Sequence, residues 1–145
     1  MSKEERANIV ALVTGILLNT FVVIRLVQLF GSGALSGEDA TMIWARAIVW
    51  VIPAAIVLTI IFNVLLAFAF RDREDKNVVD ERDRKFQIRG LSVLLVSLGL
   101  GYIAMIVVFA IGWPAVAGLT LLYASCAAGD LIGNTVRFAS YRLGA

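Results

Sequence analysis

Residues 90–138 read GLSVLLVSLGLGYIAMIVVFAIGWPAVAGLTLLYASCAAGDLIGNTVRF, and this stretch decides the fold. Two apolar blocks flank the turn Gly112-Trp113-Pro114, and Asp130 and Arg137 are the only charged residues in all of it. At a rise of about 1.5 Å per residue, each block is long enough to cross the roughly 30 Å hydrocarbon layer of a bilayer. Inside that layer every backbone N–H and C=O must find its partner within the segment, so both blocks are expected as helices. The turn between them is too short for anything but an antiparallel hairpin.

The pattern extends N-terminally. One apolar segment runs over about 7–30 and a second over about 42–70, with Pro53 inside the second. The glycine-rich loop Gly31-Ser32-Gly33-Ala34-Leu35-Ser36-Gly37-Glu38-Asp39 joins them into another hairpin. The first segment is too long for a signal-peptide core and carries Asn19 and Arg25, so it is expected to be a retained helix. The expectation is an all-α integral membrane protein with one domain over 1–145. Its four transmembrane helices lie near 7–30, 42–70, 80–111 and 114–138, with a linker at about 71–79.

Composition supports this. Of 145 residues, 60% are hydrophobic and 17% charged, against roughly 25% charged in an average soluble domain. Mean hydropathy is +0.88. A soluble domain of this length has too much surface for its volume to hide so many apolar side chains.

Orientation follows from the basic residues. Lys3 and Arg6 precede the first helix, seven Lys or Arg lie within 71–89, and Arg137 and Arg142 close the chain. Arg25 and Arg46 alone fall toward the other side, beside Glu38 and Asp39. The positive-inside rule therefore puts both termini and the central charged stretch in the cytoplasm, at an inner membrane. Trp44, Trp50 and Trp113 then gather at the outer interface as an aromatic belt.

Several chemistries are excluded within this chain. It has no histidine and a single cysteine, Cys126. Intrachain disulfides, Cys/His zinc sites, histidine-held haem and Ser-His or Cys-His catalytic pairs therefore have no residues to build on. A net charge of +2 without a basic patch argues against nucleic acid. No metal and no cofactor is expected, and the chain reads as a non-enzyme.

Polar residues inside the spans are the candidates for function, since lipid makes them costly. In the fourth helix, Ser125, Gly129 and Gly133 recur every four residues as a helix-packing seam, where small residues allow close approach. Asp130 and Asn134 run beside the seam and, with Asn63 and Asn19, form a candidate buried polar cluster. Asp130 is also the one acidic residue inside a span, which makes it a candidate ion- or proton-binding carboxylate. Asn63 and Arg71 align with Asn134 and Arg142 at a common offset, a weak trace of a two-hairpin repeat.

Outside the spans, Asp80-Glu81-Arg82-Asp83-Arg84-Lys85 is expected to start the third helix. Asp80 can cap it, and Asp80–Arg84 and Glu81–Lys85 are favourable i,i+4 pairs. The same six residues form a candidate cytoplasmic docking surface. The run from Val79 to Ile88, which enters the third helix through Asp80-Glu81-Arg82-Asp83-Arg84-Lys85, resembles a family of small prokaryotic four-helix membrane proteins catalogued only as a domain of unknown function. The resemblance covers Ile9 to Arg142 and rests on this short motif. It implies a four-helix inner-membrane protein, brings no activity, and associates such proteins with small helix-turn-helix regulators.

Two functions are therefore weighed. One is a non-catalytic accessory, regulatory or assembly protein partnered with itself or another membrane protein in the bilayer. The other is a small oligomeric transporter or channel using Asp130.

Overall fold

A computed structural model of the chain describes residues 3–69 and 81–143. The expected linker, 71–79, and Asp80 lie outside the described residues. Among the described residues there are five helical segments: α1 (Lys3–Gly31), α2 (Ala40–Val49), α3 (Val51–Ala69), α4 (Glu81–Ala110) and α5 (Ala115–Leu143). Together they form four rods that are long and apolar enough to cross a membrane, over Arg6–Gly31, Ala40–Leu66, Arg84–Ala110 and Ala115–Arg142.

The second rod is divided at Trp50, which separates α2 from α3. Pro53 explains the break: it has no N–H to give to the Val49 carbonyl one turn back. The Ala54 amide still donates to the Trp50 carbonyl at 3.2 Å, so the ladder resumes at once. The first and fourth helices run past their expected ends, to Lys3 and Leu143. Their charged terminal turns are as helical as the apolar middle.

The α4–α5 turn has a defined chemistry. Trp113 N–H donates to the Val108 carbonyl and Gly112 N–H to the Phe109 carbonyl, both at 3.1 Å. This paired closure requires a left-handed residue at Gly112, whose φ is +77°, and glycine adopts it without a Cβ clash. Pro114 follows, and its carbonyl accepts from the Ala117 amide at 2.9 Å to open α5.

Close approach decides the packing of α4 on α5. A Cβ added at Gly129 would stand 2.6 Å from the Ser97 Cβ, and one at Gly133 2.6 Å from the Gly90 carbonyl oxygen. Without those atoms the backbones nearly touch, and the Ser97 hydroxyl donates to the Ser125 carbonyl at 2.6 Å. On the other side of α5 lies α1, also antiparallel: Asn8 meets Asn134, Gly15 meets Asp130, and Asn19 meets Tyr123. Next to α1 comes α3, while α2 touches α1, α3 and α5. The main contacts thus run as a row, α3–α1–α5–α4.

A row has little interior. Leu35, Ala40 and Val116 make a small buried cluster with Leu29, Ile43 and Trp44, where α1 ends and α5 begins. Trp44 Nε1–H donates to Thr120 Oγ1 there at 3.1 Å. Most large apolar side chains face outward, Phe68 at 81% and Trp50 at 73% exposure among them. Apolar surface of that extent suits lipid rather than water.

Candidate functional site

Helix α5 shows two different faces to its two neighbours. Ser125, Gly129 and Gly133 meet α4 through Gly101, Ser97 and Gly90 respectively. The expected small-residue seam is therefore the line along which the third and fourth rods approach. About a third of a turn away, Tyr123, Asp130 and Asn134 meet α1.

The Asp130 carboxylate lies between α5 and α1. Its Oδ1 accepts from Asn134 Nδ2 at 3.0 Å, the i,i+4 pair the sequence suggests. Its Oδ2 lies 2.9 Å from the place a Cβ on Gly15 would occupy, so α1 makes room for the acid by carrying no side chain there. Asn134, itself only 4% exposed, offers its backbone carbonyl to Asn8 Nδ2 at 3.1 Å. Asp130, Asn134, Gly15 and Asn8 are one constellation.

The expected four-residue polar cluster does not form as a unit. Asn19 bonds elsewhere, its Oδ1 accepting from the Tyr123 hydroxyl at 2.8 Å. That pair lies about 16 Å along α5 from Asn134, eleven residues at helical rise. Asn63 is exposed and donates to the Thr59 carbonyl of its own helix at 2.8 Å. The row explains why: α1 stands between α3 and α5, so Asn63 has no approach to Asp130.

Asn8, Thr14, Gly15 and Tyr123 were not singled out from sequence. Asn8, Gly15 and Asn19 recur at spacings of seven and four, which is one face of a helix. That spacing could have found them. Thr14 Oγ1 and Asn8 Oδ1 are buried without a hydrogen-bond partner among the described residues.

At the start of α4, Glu81, Arg84 and Lys85 are exposed, and the side chains of Arg82 and Asp83 lie outside the described set. The next residue, Phe86, is buried and meets the Tyr141 ring edge-on, at 5.2 Å and 82°. The Arg89 guanidinium stands 6.0 Å from the Phe86 ring. The charged turn is thereby pinned to the end of α5. At the opposite end Arg25 and Arg46 are exposed, and Arg25 reaches Gln28 Oε1 at 3.4 Å.

No group of three or more His, Cys, Asp or Glu able to hold a metal ion occurs among the described residues. No protein-family model matches the chain, and neither the curated proteins nor the solved structures contain a match.

Proposed function

We propose that the chain is a multi-pass inner-membrane protein with both termini cytoplasmic, acting without catalysis as an accessory, regulatory or assembly partner. The observation that carries this reading is the exposed Glu81, Arg84 and Lys85 turn, anchored by the contact of the buried Phe86 ring with Tyr141. A charged helix end fixed in direction is suited to docking, because little backbone freedom is lost when a partner arrives. The bundle end that carries it also holds the start of α1 and the end of α5, and with them Arg6, Arg89, Arg137 and Arg142. Their concentration at one end supports the cytoplasmic assignment. The likeness of the Asp80–Lys85 run to an uncharacterised four-helix membrane family is part of the same reading.

A photo-cross-linking residue at Lys85, introduced in cells, tests it. A discrete protein adduct that disappears on Glu81→Lys with Arg84→Glu is the expected result. Adducts to lipid only, or adducts indifferent to charge reversal, refute docking at this turn.

A second reading rests on the α1–α5 interface, where Asp130 and Asn134 lie beside Asn8, whose Oδ1 has no hydrogen-bond partner among the described residues. Such a polar seam supports a transporter that moves a cation or proton past Asp130. Proteoliposomes with an imposed pH gradient decide it: equal flux in the wild type and Asp130→Asn ends this reading.

A further inference from the structure

At the end of the bundle where α1 and α4 start and α5 finishes lies a cavity of about 100 Å³. Ala7, Asn8, Ala11, Gln87, Arg137 and Tyr141 line it, so three helices contribute. This is several times the space that one water requires.

Two lining residues each keep one buried polar atom without a hydrogen-bond partner among the described residues, although Arg137 also feels the charge of Asp130. Asn8 is 5% exposed; its amide donates to the Asn134 carbonyl, and its Oδ1 accepts from nothing among the described residues. Arg137 Nε is buried and has no acceptor there. A buried acceptor and a buried cationic donor therefore border one cavity. Whatever fills it must accept from a guanidinium and donate to an amide oxygen.

The arginine is placed by construction. Gly90 of α4 lies directly under its stem: a Cβ there would overlap Arg137 Nε and come within 2.6 Å of its Cγ. The neighbouring acid on α5, Asp130, sits two turns deeper, with Oδ1 bonded to Asn134 and Oδ2 against Gly15. The cavity also stands at the basic end of the four rods, and a bilayer spanned by these rods would place its phosphate layer near their ends. Basic clefts between membrane helices at that depth bind lipid headgroups.

We propose that this cavity seats a phosphate group whose own O–H or N–H reaches Asn8, as a phospholipid headgroup with a glycerol or ethanolamine moiety supplies. Arg137 donates to a phosphate oxygen, and the headgroup hydroxyl or ammonium donates to Asn8 Oδ1. Inorganic phosphate in its monoprotonated or diprotonated form has the same chemistry. The assignment requires the chain to sit in lipid. It does not require the orientation or the docking role proposed above.

Native mass spectrometry of the full chain in detergent tests it, with phosphatidylglycerol, phosphatidylethanolamine and phosphatidylcholine titrated in turn. Choline has no N–H, so phosphatidylcholine should bind about tenfold more weakly than the other two, the loss of one good hydrogen bond. Arg137→Gln should weaken all three by about tenfold or more, whereas Arg25→Gln at the other end should change nothing. Asn8→Leu should abolish the preference against phosphatidylcholine. If millimolar inorganic phosphate displaces the lipid, the chemistry stands and the natural occupant is the free ion. Equal binding of the three lipids by the wild type overturns the proposal without any variant, and undiminished binding by a folded Arg137→Gln overturns it as well.

Discussion

Gly133→Ala should loosen the whole α4–α5 hairpin, although it adds one methyl group. The Cβ of an alanine at 133 would stand 2.6 Å from the Gly90 carbonyl oxygen, whereas ordinary contact begins at 3.4 Å. Both atoms belong to, or hang directly from, helical backbone, so no side chain can rotate aside. The helices must separate locally by about 0.8 Å, and misfits of this kind cost about 1–3 kcal/mol. Separation also stretches the Ser97–Ser125 hydrogen bond, 2.6 Å long and two turns away, a class of contact worth roughly 0.6–2 kcal/mol in lipid. Opposing this, alanine is a better helix former than glycine by about 1 kcal/mol. A net destabilisation of about 1–3 kcal/mol is expected. Gly99→Ala is the matched control, because a Cβ on Gly99 meets nothing within 4 Å. That variant keeps the propensity gain without the clash and should be neutral or stabilised by up to about 1 kcal/mol. Unfolding of the full chain from mixed micelles by added SDS, followed by helical circular dichroism, measures both. If Gly133→Ala resists SDS as well as the wild type, or if Gly99→Ala is equally harmful, the close-approach argument is wrong.

Three further outcomes can be read in the same unfolding experiment. Gly112→Ala must hold alanine at φ +77°, which should cost about 1–2 kcal/mol and leave helix content in the folded state unchanged. Asn134→Leu removes the side-chain donor to Asp130 Oδ1, and losing a hydrogen bond to a charged group should cost about 1.5–3 kcal/mol; Asp130→Asn, which can keep a bond to Asn134, should cost less. If the two variants unfold together, the Asn134–Asp130 bond is not what matters. Tyr123→Phe should cost about 0.6–2 kcal/mol through Asn19, and combining it with Asn19→Leu should add little, because the pair shares one bond. Separately, a cysteine at exposed Ser36 in a Cys126→Ser background should react with an impermeant maleimide added outside cells, while one at Arg84 should not. The reverse pattern would invert the proposed orientation.

The parts of the site that were readable in advance are those confined to one helix. The Asp130–Asn134 pair is an i,i+4 relation, and the Ser125–Gly129–Gly133 seam is a run of small residues at the same spacing. Both depend only on the geometry of α5. The sequence groups Asn63 and Asn19 with Asp130 only because polar residues in lipid seek one another. Their polarity makes partners necessary but does not choose them. Asn63 satisfies its amide on its own backbone at Thr59, and Asn19 accepts from Tyr123.

The four apolar rods, the glycine turn at 112, the proline inside the second rod and the collection of basic residues at one end are legible in the chain alone. Each is local: a length of hydrocarbon-like chain, a φ only glycine tolerates, a missing N–H. Tertiary structure alone decided the row α3–α1–α5–α4, the placing of Gly15 opposite Asp130, and the passage of Arg137 over Gly90 beside a cavity that Asn8 also borders. The physical reason lies in the solvent. In water an amphipathic pattern marks the face a helix buries, whereas lipid tails are as apolar as leucine. A helix side that meets lipid and one that meets another helix can then carry the same residues, so neighbours are chosen by close fit and by a few polar contacts that exist only once the helices stand together.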